Sequence, residues 1–309
     1  MPSHSRRLGI DHIPLFDHIT YIGNTAKGVS VMQDAHDASA STSMFMSVLN
    51  PSVVCADADL ATAVRSVAYQ SFMNAGQSLV HIEKVYVAAE VYDQFMLRLK
   101  SLVERRIVVG ARYDHRATMG SLYSQDRLDR LVAHIDDALV CGADLVTGGK
   151  ARPDIGPWFH EPTILANVPH HALAWDEETY GPLLIVERFT DLDEVLDELR
   201  QTQYCSGLQL ITSDFAKARR ISKSVPAGLV AINDGYHSVW GAWNAPVQGW
   251  RDSGTGVRHG WPAVRQYTRS MITSRSYGYT GEPHENMSLE NWEKLSWRIL
   301  RFCDHFHTY

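Results

Sequence analysis

The sequence predicts an α/β fold, because its second half alternates apolar strands with amphipathic helices. From Leu183 onward, a strand-like run leads to a helical pattern at residues 192–199 and a second apolar run at 208–211. A further helical pattern at residues 214–224 precedes a last apolar run at 229–232. Alternation of this kind is typical of a parallel sheet that carries helices on its faces.

The first half contains a second strong pattern, an amphipathic helix followed by a strand. Residues 59–74 place apolar side chains at helical spacing, and Asp59 stands at the N-cap position. Residues 74–77, Asn-Ala-Gly-Gln, end this helix, and an apolar β-branched run begins after Lys84. Taken alone, residues 74–77 also fit an ordinary helix C-terminus with a C-cap glycine.

Composition excludes several classes of partner and location. The chain has 309 residues, 45% hydrophobic and 21% charged, and its formal net charge of -6 gives no basic field for nucleic acid or an anionic membrane. No apolar run approaches the roughly 20 residues that span a bilayer. Four scattered cysteines form no CxxC pair, so we expect neither a metal site nor disulfides. These features favour a cytoplasmic protein, and the residues after Arg6 and Arg7 do not resemble an export signal.

Residues 72–79, Phe-Met-Asn-Ala-Gly-Gln-Ser-Leu, resemble the nucleophile segment of the aldehyde dehydrogenase superfamily, Phe-x-Asn-x-Gly-Gln-x-Cys. Further similar segments follow in the family's order: Glu-Pro-Thr-Ile-Leu at 161–165, Glu-Glu-Thr-Tyr-Gly-Pro at 177–182 and a Ser-Gly-x-Gly return at 253–256. The resemblance covers about residues 19–273. It implies an aldehyde-dehydrogenase-like catalytic domain with a truncated Rossmann-type cofactor domain.

The resemblance also implies four regions. We expect a remnant of the nucleotide-binding domain at residues 1–55 and the catalytic domain at 56–234. Residues 235–279 would hold the tunnel loop, its return and an oligomerisation strand, and 280–309 a C-terminal helical extension. In that extension Ser288 could cap an amphipathic helix that packs on its own body or on a partner.

At two positions the sequence departs from the family pattern. Leu79 stands where the family has its cysteine, and a leucine cannot form the thiohemiacetal that a thiolate forms with an aldehyde. Phe45 stands where the family has its general-base glutamate, and a phenyl ring cannot activate water. We therefore expect NAD-dependent aldehyde oxidation to be lost.

The expected cofactor site is also incomplete. The resemblance implies that Gly23 and Asn24 lie beside a pyrophosphate, and that Glu178 and Tyr180 contact the nicotinamide ribose and the nicotinamide. Only about sixteen residues precede the first matching strand, so we expect the adenosine contacts to be missing. We expect no cofactor, or weak NAD binding only. The alternatives are a structural cap at Asn24 and a surface or capping role for Glu178.

Three functions remain after these losses. The main hypothesis is a non-redox biosynthetic enzyme of the isomerase, dehydratase or cyclase type, with a small-molecule substrate in the former aldehyde tunnel. Its candidate residues are Ser78 and Asn74 as hydrogen-bond donors and Tyr236 and His237 for proton transfer. His237 could instead be a solvent-facing loop residue.

The alternatives are a pseudoenzyme and a residual NAD(P)-dependent aldehyde dehydrogenase. The pseudoenzyme would bind a partner protein, or form a homodimer, through the family's dimer surface. An open, polar tunnel would favour the enzyme, whereas a tunnel collapsed around Leu79 and Phe45 would favour the pseudoenzyme.

Overall fold

The computed structural model describes residues 12–111, 115–204, 206–235, 238, 241–275, 282–283 and 286–306. The chain divides into two compact units, Met1–Thr268 and Arg269–Tyr309. The four regions expected from the sequence stay a prediction.

All of the described strands, and all of the described helices except the last, lie in the first unit. The strands are β1 (His18–Ile22), β2 (Ser41–Phe45), β3 (Asn50–Val54), β4 (Ile82–Ala88), β5 (Asp144–Thr147), β6 (Thr163–Ala166), β7 (Leu183–Phe189), β8 (Gly207–Ile211), β9 (Leu229–Ile232), β10 (Val247–Gln248) and β11 (Val257–Arg258). The helices are α1 (Thr25–Asp37), α2 (Leu60–Phe72), α3 (Ala89–Arg106), α4 (Gln125–Cys141), α5 (Leu173–Asp176), α6 (Leu192–Gln201), α7 (Phe215–Ser224), α8 (Gly260–Arg265) and α9 (Leu289–Phe306), with short 3-10 turns at Ile13–Leu15 and Met73–Gly76.

A seven-stranded sheet forms the centre of the first unit, in the order β5-β6-β7-β4-β3-β8-β9. All neighbouring pairs are parallel except β5 with β6. Every residue of the central strand β4 is buried, as expected for a parallel sheet covered on both faces. Val85 and Val87 of β4 enter one apolar core, packed against α2 and α3, and Tyr86 between them enters the other, packed against α4 to α7. The α/β prediction is confirmed.

Strands β1 and β2 form a separate parallel pair on which α1 packs. Asn24 caps α1, because its side-chain oxygen accepts a hydrogen bond from the Lys27 N–H at 2.8 Å. Phe45 is the last residue of β2. In the second unit, Ser288 precedes α9 and its hydroxyl accepts a hydrogen bond from the Asn291 N–H, as expected of a cap.

The turn after α2 is tighter than the sequence pattern predicts. Asn74 and Ala75 both have left-handed backbone angles, so the regular helix ends at Phe72. Gly76 has φ +70°, and a Cβ atom there would lie 2.0 Å from the carbonyl oxygen of Gly181. Only glycine allows this approach. Residues 268–275, at the boundary of the two units, form no strand within the chain, and the expected oligomerisation strand stays a prediction.

A buried ion pair lies at the start of β4. His81 Nε2 is 2.6 Å from Glu83 Oε1, and the two side chains are 0% and 3% exposed. The other ring nitrogen, Nδ1, donates to the Ser78 carbonyl oxygen. Since both partners are acceptors, both ring nitrogens must carry protons. Burial opposes that charge, but the carboxylate of Glu83 outweighs it and raises the pKa of His81.

Glu83 also binds the chain segment before β7. Its carboxylate accepts hydrogen bonds from the Thr179 N–H at 3.0 Å and the Tyr180 N–H at 2.7 Å. Tyr180 has φ 52°, a left-handed conformation that is unusual for a bulky residue. The two hydrogen bonds from the backbone N–H groups to Glu83 hold the backbone in this conformation.

Replacing Glu83 with Gln should destabilise the protein. The change removes the negative charge and leaves the His81 cation buried without its counterion, which typically costs about 3 to 5 kcal/mol. We expect a loss of this size in the free energy of unfolding from urea titration near neutral pH. The control is Glu194→Gln on the exposed side of α6, which should change stability by less than about 0.5 kcal/mol. A Glu83→Gln loss no larger than the control would contradict this role.

A second carboxylate links the starts of two helices. Asp57, just before α2, accepts hydrogen bonds from the Thr212 hydroxyl and from the N–H groups of Ser213 and Asp214, which precede α7. Burial alone would raise the pKa of Asp57. The hydrogen bonds from Thr212 and Ser213 outweigh burial, and the pKa is lowered to about 2.

The stability contributed by Asp57 should therefore depend on pH. A carboxyl whose folded pKa lies below its unfolded value of 3.8 stabilises the fold above that value, and this contribution is lost as pH falls through about 2. The shift corresponds to roughly 2.5 kcal/mol at full burial, and screening of a side chain 37% exposed lowers the expectation to about 1 kcal/mol. Asp57→Asn should lose this amount near pH 6 and progressively less below pH 4. The control is Asp37→Asn at an exposed residue of α1, which should change stability by less than about 0.5 kcal/mol at both pH values.

Candidate functional site

Leu79 lies in a short loop that connects the 3-10 turn Met73–Gly76 to β4. Its side chain is half-buried. The side-chain amide of Asn50 holds this loop by donating to the carbonyl oxygens of Leu79 at 3.2 Å and His81 at 3.0 Å. The Asn50 side-chain oxygen in turn accepts from the Gly207 N–H at 2.8 Å. Asn50 thus fixes the loop against the β3 and β8 strands.

Phe45 fills the position where the resemblance places a general base. Its ring is buried, and the Arg258 guanidinium lies 4.3 Å from the ring centroid. Gly256 packs so closely that an added Cβ would be 2.5 Å from the ring. A cation over an aromatic face is an attractive contact. The Phe45 ring therefore makes packing contacts and a cation–π interaction at this position, and it has no atom that can accept a proton.

Two small cavities lie beside Leu79. They measure about 40 Å³ and 10 Å³, and both are lined by Leu79, Ser206, Val247 and Arg258. Ligand sites usually measure about 300 to 1,000 Å³. Within the part of the chain that the structure describes, the space beside Leu79 accommodates a water molecule but not a substrate.

Two of the four candidate catalytic residues lie in the described turn. Asn74 is exposed, and its side-chain amide donates to the Gln77 carbonyl oxygen at 2.9 Å. Ser78 is half-buried, and its hydroxyl oxygen accepts from the Val80 N–H at 3.3 Å. Neither lines the cavities at Leu79. The other two candidates, Tyr236 and His237, lie outside the described residues.

The residues expected to hold a pyrophosphate are bonded within the chain. The Gly23 N–H donates to the Phe45 carbonyl oxygen at 3.1 Å, and the Thr25 N–H donates to the Ser47 hydroxyl at 3.3 Å. The Lys27 N–H is taken by the Asn24 side chain. The alternative interpretation of Asn24, as a helix cap, accounts for these contacts.

The side chain of Glu178 is also hydrogen-bonded within the chain. Its carboxylate accepts from the Val48 N–H at 2.9 Å and from the Ser47 hydroxyl. Burial, followed by the charge of Glu83, raises the pKa of Glu178 and favours its neutral form. Tyr180 lies with its ring edge-on to His81, 5.7 Å between centroids. Cofactor binding by Glu178 and Tyr180 stays a prediction.

Three residues that hold the site in place, His81, Glu83 and Arg258, were not predicted from the sequence. His81 and Glu83 are two residues apart in extended chain, a spacing that places both side chains on one side. The spacing of His81 and Glu83 is visible in the sequence. The N–H groups of Thr179 and Tyr180, which complete the hydrogen-bond network around Glu83, come from a distant segment. Arg258 gave no local signal, since its partner Phe45 is far away in the sequence.

Neither a metal-binding cluster nor a membrane-spanning helix is present among the described residues. The described residues contain no group of three or more His, Cys, Asp or Glu side chains placed to hold a metal ion. None of their helices combines the length and the apolar character needed to cross a membrane.

Known proteins resemble this chain along most of its length. The model of the aldehyde dehydrogenase family matches residues 10–272. A putative succinate-semialdehyde dehydrogenase [NADP(+)] 2 of Mycobacterium tuberculosis (strain ATCC 25618 / H37Rv) is 32% identical over 285 residues, which are 92% of this chain and 55% of that protein. A mitochondrial aldehyde dehydrogenase of Leishmania tarentolae is 33% identical over 258 residues, 82% of this chain and 50% of that protein. The chain spans about half the length of these relatives.

Solved structures give the same result. An NADP-dependent enzyme of E. coli superposes with a TM-score of 0.81 at 30% identity, over 85% of this chain and 54% of its own. Lactaldehyde dehydrogenase from Escherichia coli superposes with a TM-score of 0.80 at 27% identity, over 86% of this chain and 55% of its own.

The main functional hypothesis from the sequence, a non-redox biosynthetic enzyme, is wrong. The relatives are named as aldehyde dehydrogenases, so nothing among them supports an isomerase, dehydratase or cyclase. The physical basis of the hypothesis was an open tunnel, and the described residues leave only small cavities beside Leu79. The family match covers most of the chain, and the chain belongs to the aldehyde dehydrogenase family.

Proposed function

We propose that the chain is a pseudoenzyme of the aldehyde dehydrogenase family. The observation that carries this proposal is the leucine at position 79, at the end of the Asn-Ala-Gly-Gln turn. A thiolate is needed there to add to the aldehyde carbon and later to leave from a thioester. A leucine side chain has no atom that can form either bond.

The neighbouring groups do not replace the missing chemistry. Ser78 is the adjacent hydroxyl, and a serine needs a base that accepts its proton. His81 cannot act as that base, because both of its ring nitrogens donate, to the Ser78 carbonyl oxygen and to Glu83. Phe45 offers no base for the later hydrolysis of an acyl intermediate.

A second candidate is residual NAD(P)-dependent aldehyde dehydrogenase activity. It is favoured by the name of the 32% identical Mycobacterium relative, a putative succinate-semialdehyde dehydrogenase that uses NADP(+). This activity would require a nucleophile other than Leu79 and a rearranged Glu178.

The pseudoenzyme should form no NADH or NADPH from aldehydes. Purified protein would be assayed by absorbance with NAD or NADP and with succinate semialdehyde or lactaldehyde. The Mycobacterium relative, in the same assay, is the positive control. We expect a rate at least about 10⁴-fold below that control, the order of loss seen when reacting groups are removed. The double variant Leu79→Cys/Phe45→Glu should stay inactive, because the Arg258 cation beside position 45 would pair with the introduced carboxylate and weaken it as a base. Steady cofactor reduction by the parent chain would refute the pseudoenzyme and establish the second candidate.

The partner of the pseudoenzyme is proposed to be a second copy of the chain. Met271 and Ile272, in the segment similar to the family's oligomerisation strand, are 87% and 91% exposed. Adjacent, fully exposed apolar side chains are typical of a surface that another chain covers.

Ile272→Asp should therefore weaken self-association. A charge in an apolar contact would have to be desolvated, so we expect the dimer dissociation constant to rise at least tenfold, about 1.4 kcal/mol. Sedimentation velocity over a concentration series measures it. Val140→Asp on α4 is the matched control, because Val140 is 88% exposed and lies away from this segment in the sequence. A monomeric parent chain, or equal effects of the two substitutions, would exclude this surface.

A further inference from the structure

A larger cavity lies on one face of the central sheet, beside β4. It measures about 320 Å³ and shares no lining residue with the cavities at Leu79. Its walls include Lys84, Tyr86, Trp175, Glu198 and Tyr204. The volume falls within the range of small-molecule sites.

Lys84 is the nucleophilic group of this cavity. It belongs to the middle strand of the sheet, and its side chain is only 11% exposed. Its Nζ atom lies 3.6 Å from the centroid of the Trp175 ring and 3.6 Å from Glu198 Oε1. The structure thus places a buried primary amine at the wall of a cavity.

The surroundings favour the neutral amine more than at a surface lysine. Burial lowers the pKa of Lys84, and the carboxylates of Glu198, Asp176 and Glu187 offset this only in part. Glu187 itself is a weak counterion near neutrality, because burial raises its pKa to about 7. A lysine whose ammonium form is disfavoured in this way is able to act as a nucleophile.

A proton-transfer group stands next to the amine. Glu198 Oε1 accepts a hydrogen bond from the Tyr86 hydroxyl at 2.6 Å and also faces Lys84 Nζ. Its side chain is 33% exposed, so it is able to exchange protons with solvent. The aromatic faces of Tyr86 and Trp175 supply apolar walls for an alkyl chain.

We propose that Lys84 binds small aldehydes in this cavity, covalently and reversibly, as an imine. The neutral amine adds to the carbonyl carbon, a C–N bond forms as the C=O π bond breaks, and Glu198 carries one proton from the nitrogen to the alkoxide oxygen to give the carbinolamine. Glu198 then carries the second nitrogen proton to the hydroxyl, the C–O bond breaks, and one water molecule leaves. No oxidant or reductant takes part. The inference uses no group of the Leu79 site, so it does not rest on the pseudoenzyme proposal.

Reductive trapping tests the inference. The full chain would be incubated near neutral pH with propanal and sodium cyanoborohydride, which converts an imine into a stable propyl-lysine. Peptide mass spectrometry then gives the rate of propylation at each lysine. The matched control is Lys217, a lysine with a 29% exposed side chain that pairs with Asp57 at 3.8 Å. We expect Lys84 to be modified at least tenfold faster than Lys217. Modification of Lys84 at the rate of Lys217 or more slowly would overturn the proposal.

Two variants test the roles of Lys84 as the amine and Glu198 as the proton-transfer group. Lys84→Arg keeps the positive charge but forms no imine, so the fast modification should disappear while Lys217 is modified as before. Glu198→Gln should slow modification of Lys84 by about a hundredfold, the lower end of what a general acid or base contributes, and leave Lys217 unchanged. An unchanged Lys84 rate in Glu198→Gln would overturn the role of Glu198. The parent measurement needs neither variant to fold, and its readout is separate from cofactor reduction.

Discussion

The carboxylate of Glu83 is the point at which two segments of the site meet. It accepts from the His81 ring at the start of β4 and from the amides of Thr179 and Tyr180 before β7. Taking a carboxylate out of water costs several kcal/mol unless donors replace the solvent. Three donors do so here, and His81 in turn holds the Ser78 carbonyl oxygen. The position of the turn before β4 therefore depends on a charge in the core.

The two departures from the family pattern are structurally coupled to their surroundings. Phe45 lies under Arg258 and against Gly256, and it lines the smaller of the cavities that contain Leu79. A glutamate at position 45 would meet the Arg258 cation and form an ion pair. The carboxylate would then be held in its ionised, hydrogen-bonded form, which makes it a weaker base. Restoring one reacting residue does not restore the environment in which that residue works.

The sequence predicted those parts of the molecule that depend on local pattern. Alternating apolar runs predicted the α/β sheet, and helical spacing predicted α2 to within two residues of its end. The contact of Arg258 with Phe45 and the cavity at Lys84 could not be predicted in this way, because each joins residues from distant parts of the chain. Lys84 was visible only as a basic residue at the start of a strand. Its burial follows from the helix α6 and from Trp175, which cover that face of the sheet.

The close contact between Gly76 and Gly181 explains why this sequence motif contains a glycine. The backbone at position 76 has to remain free of a side chain because the carbonyl group of Gly181 occupies the space. This requirement concerns the approach of two backbone segments, and it applies whether or not a reactive atom follows three residues later. The Asn-Ala-Gly-Gln motif therefore indicates the close packing of two loops. In a chain such as this one, it identifies the architecture reliably and is silent about the reaction.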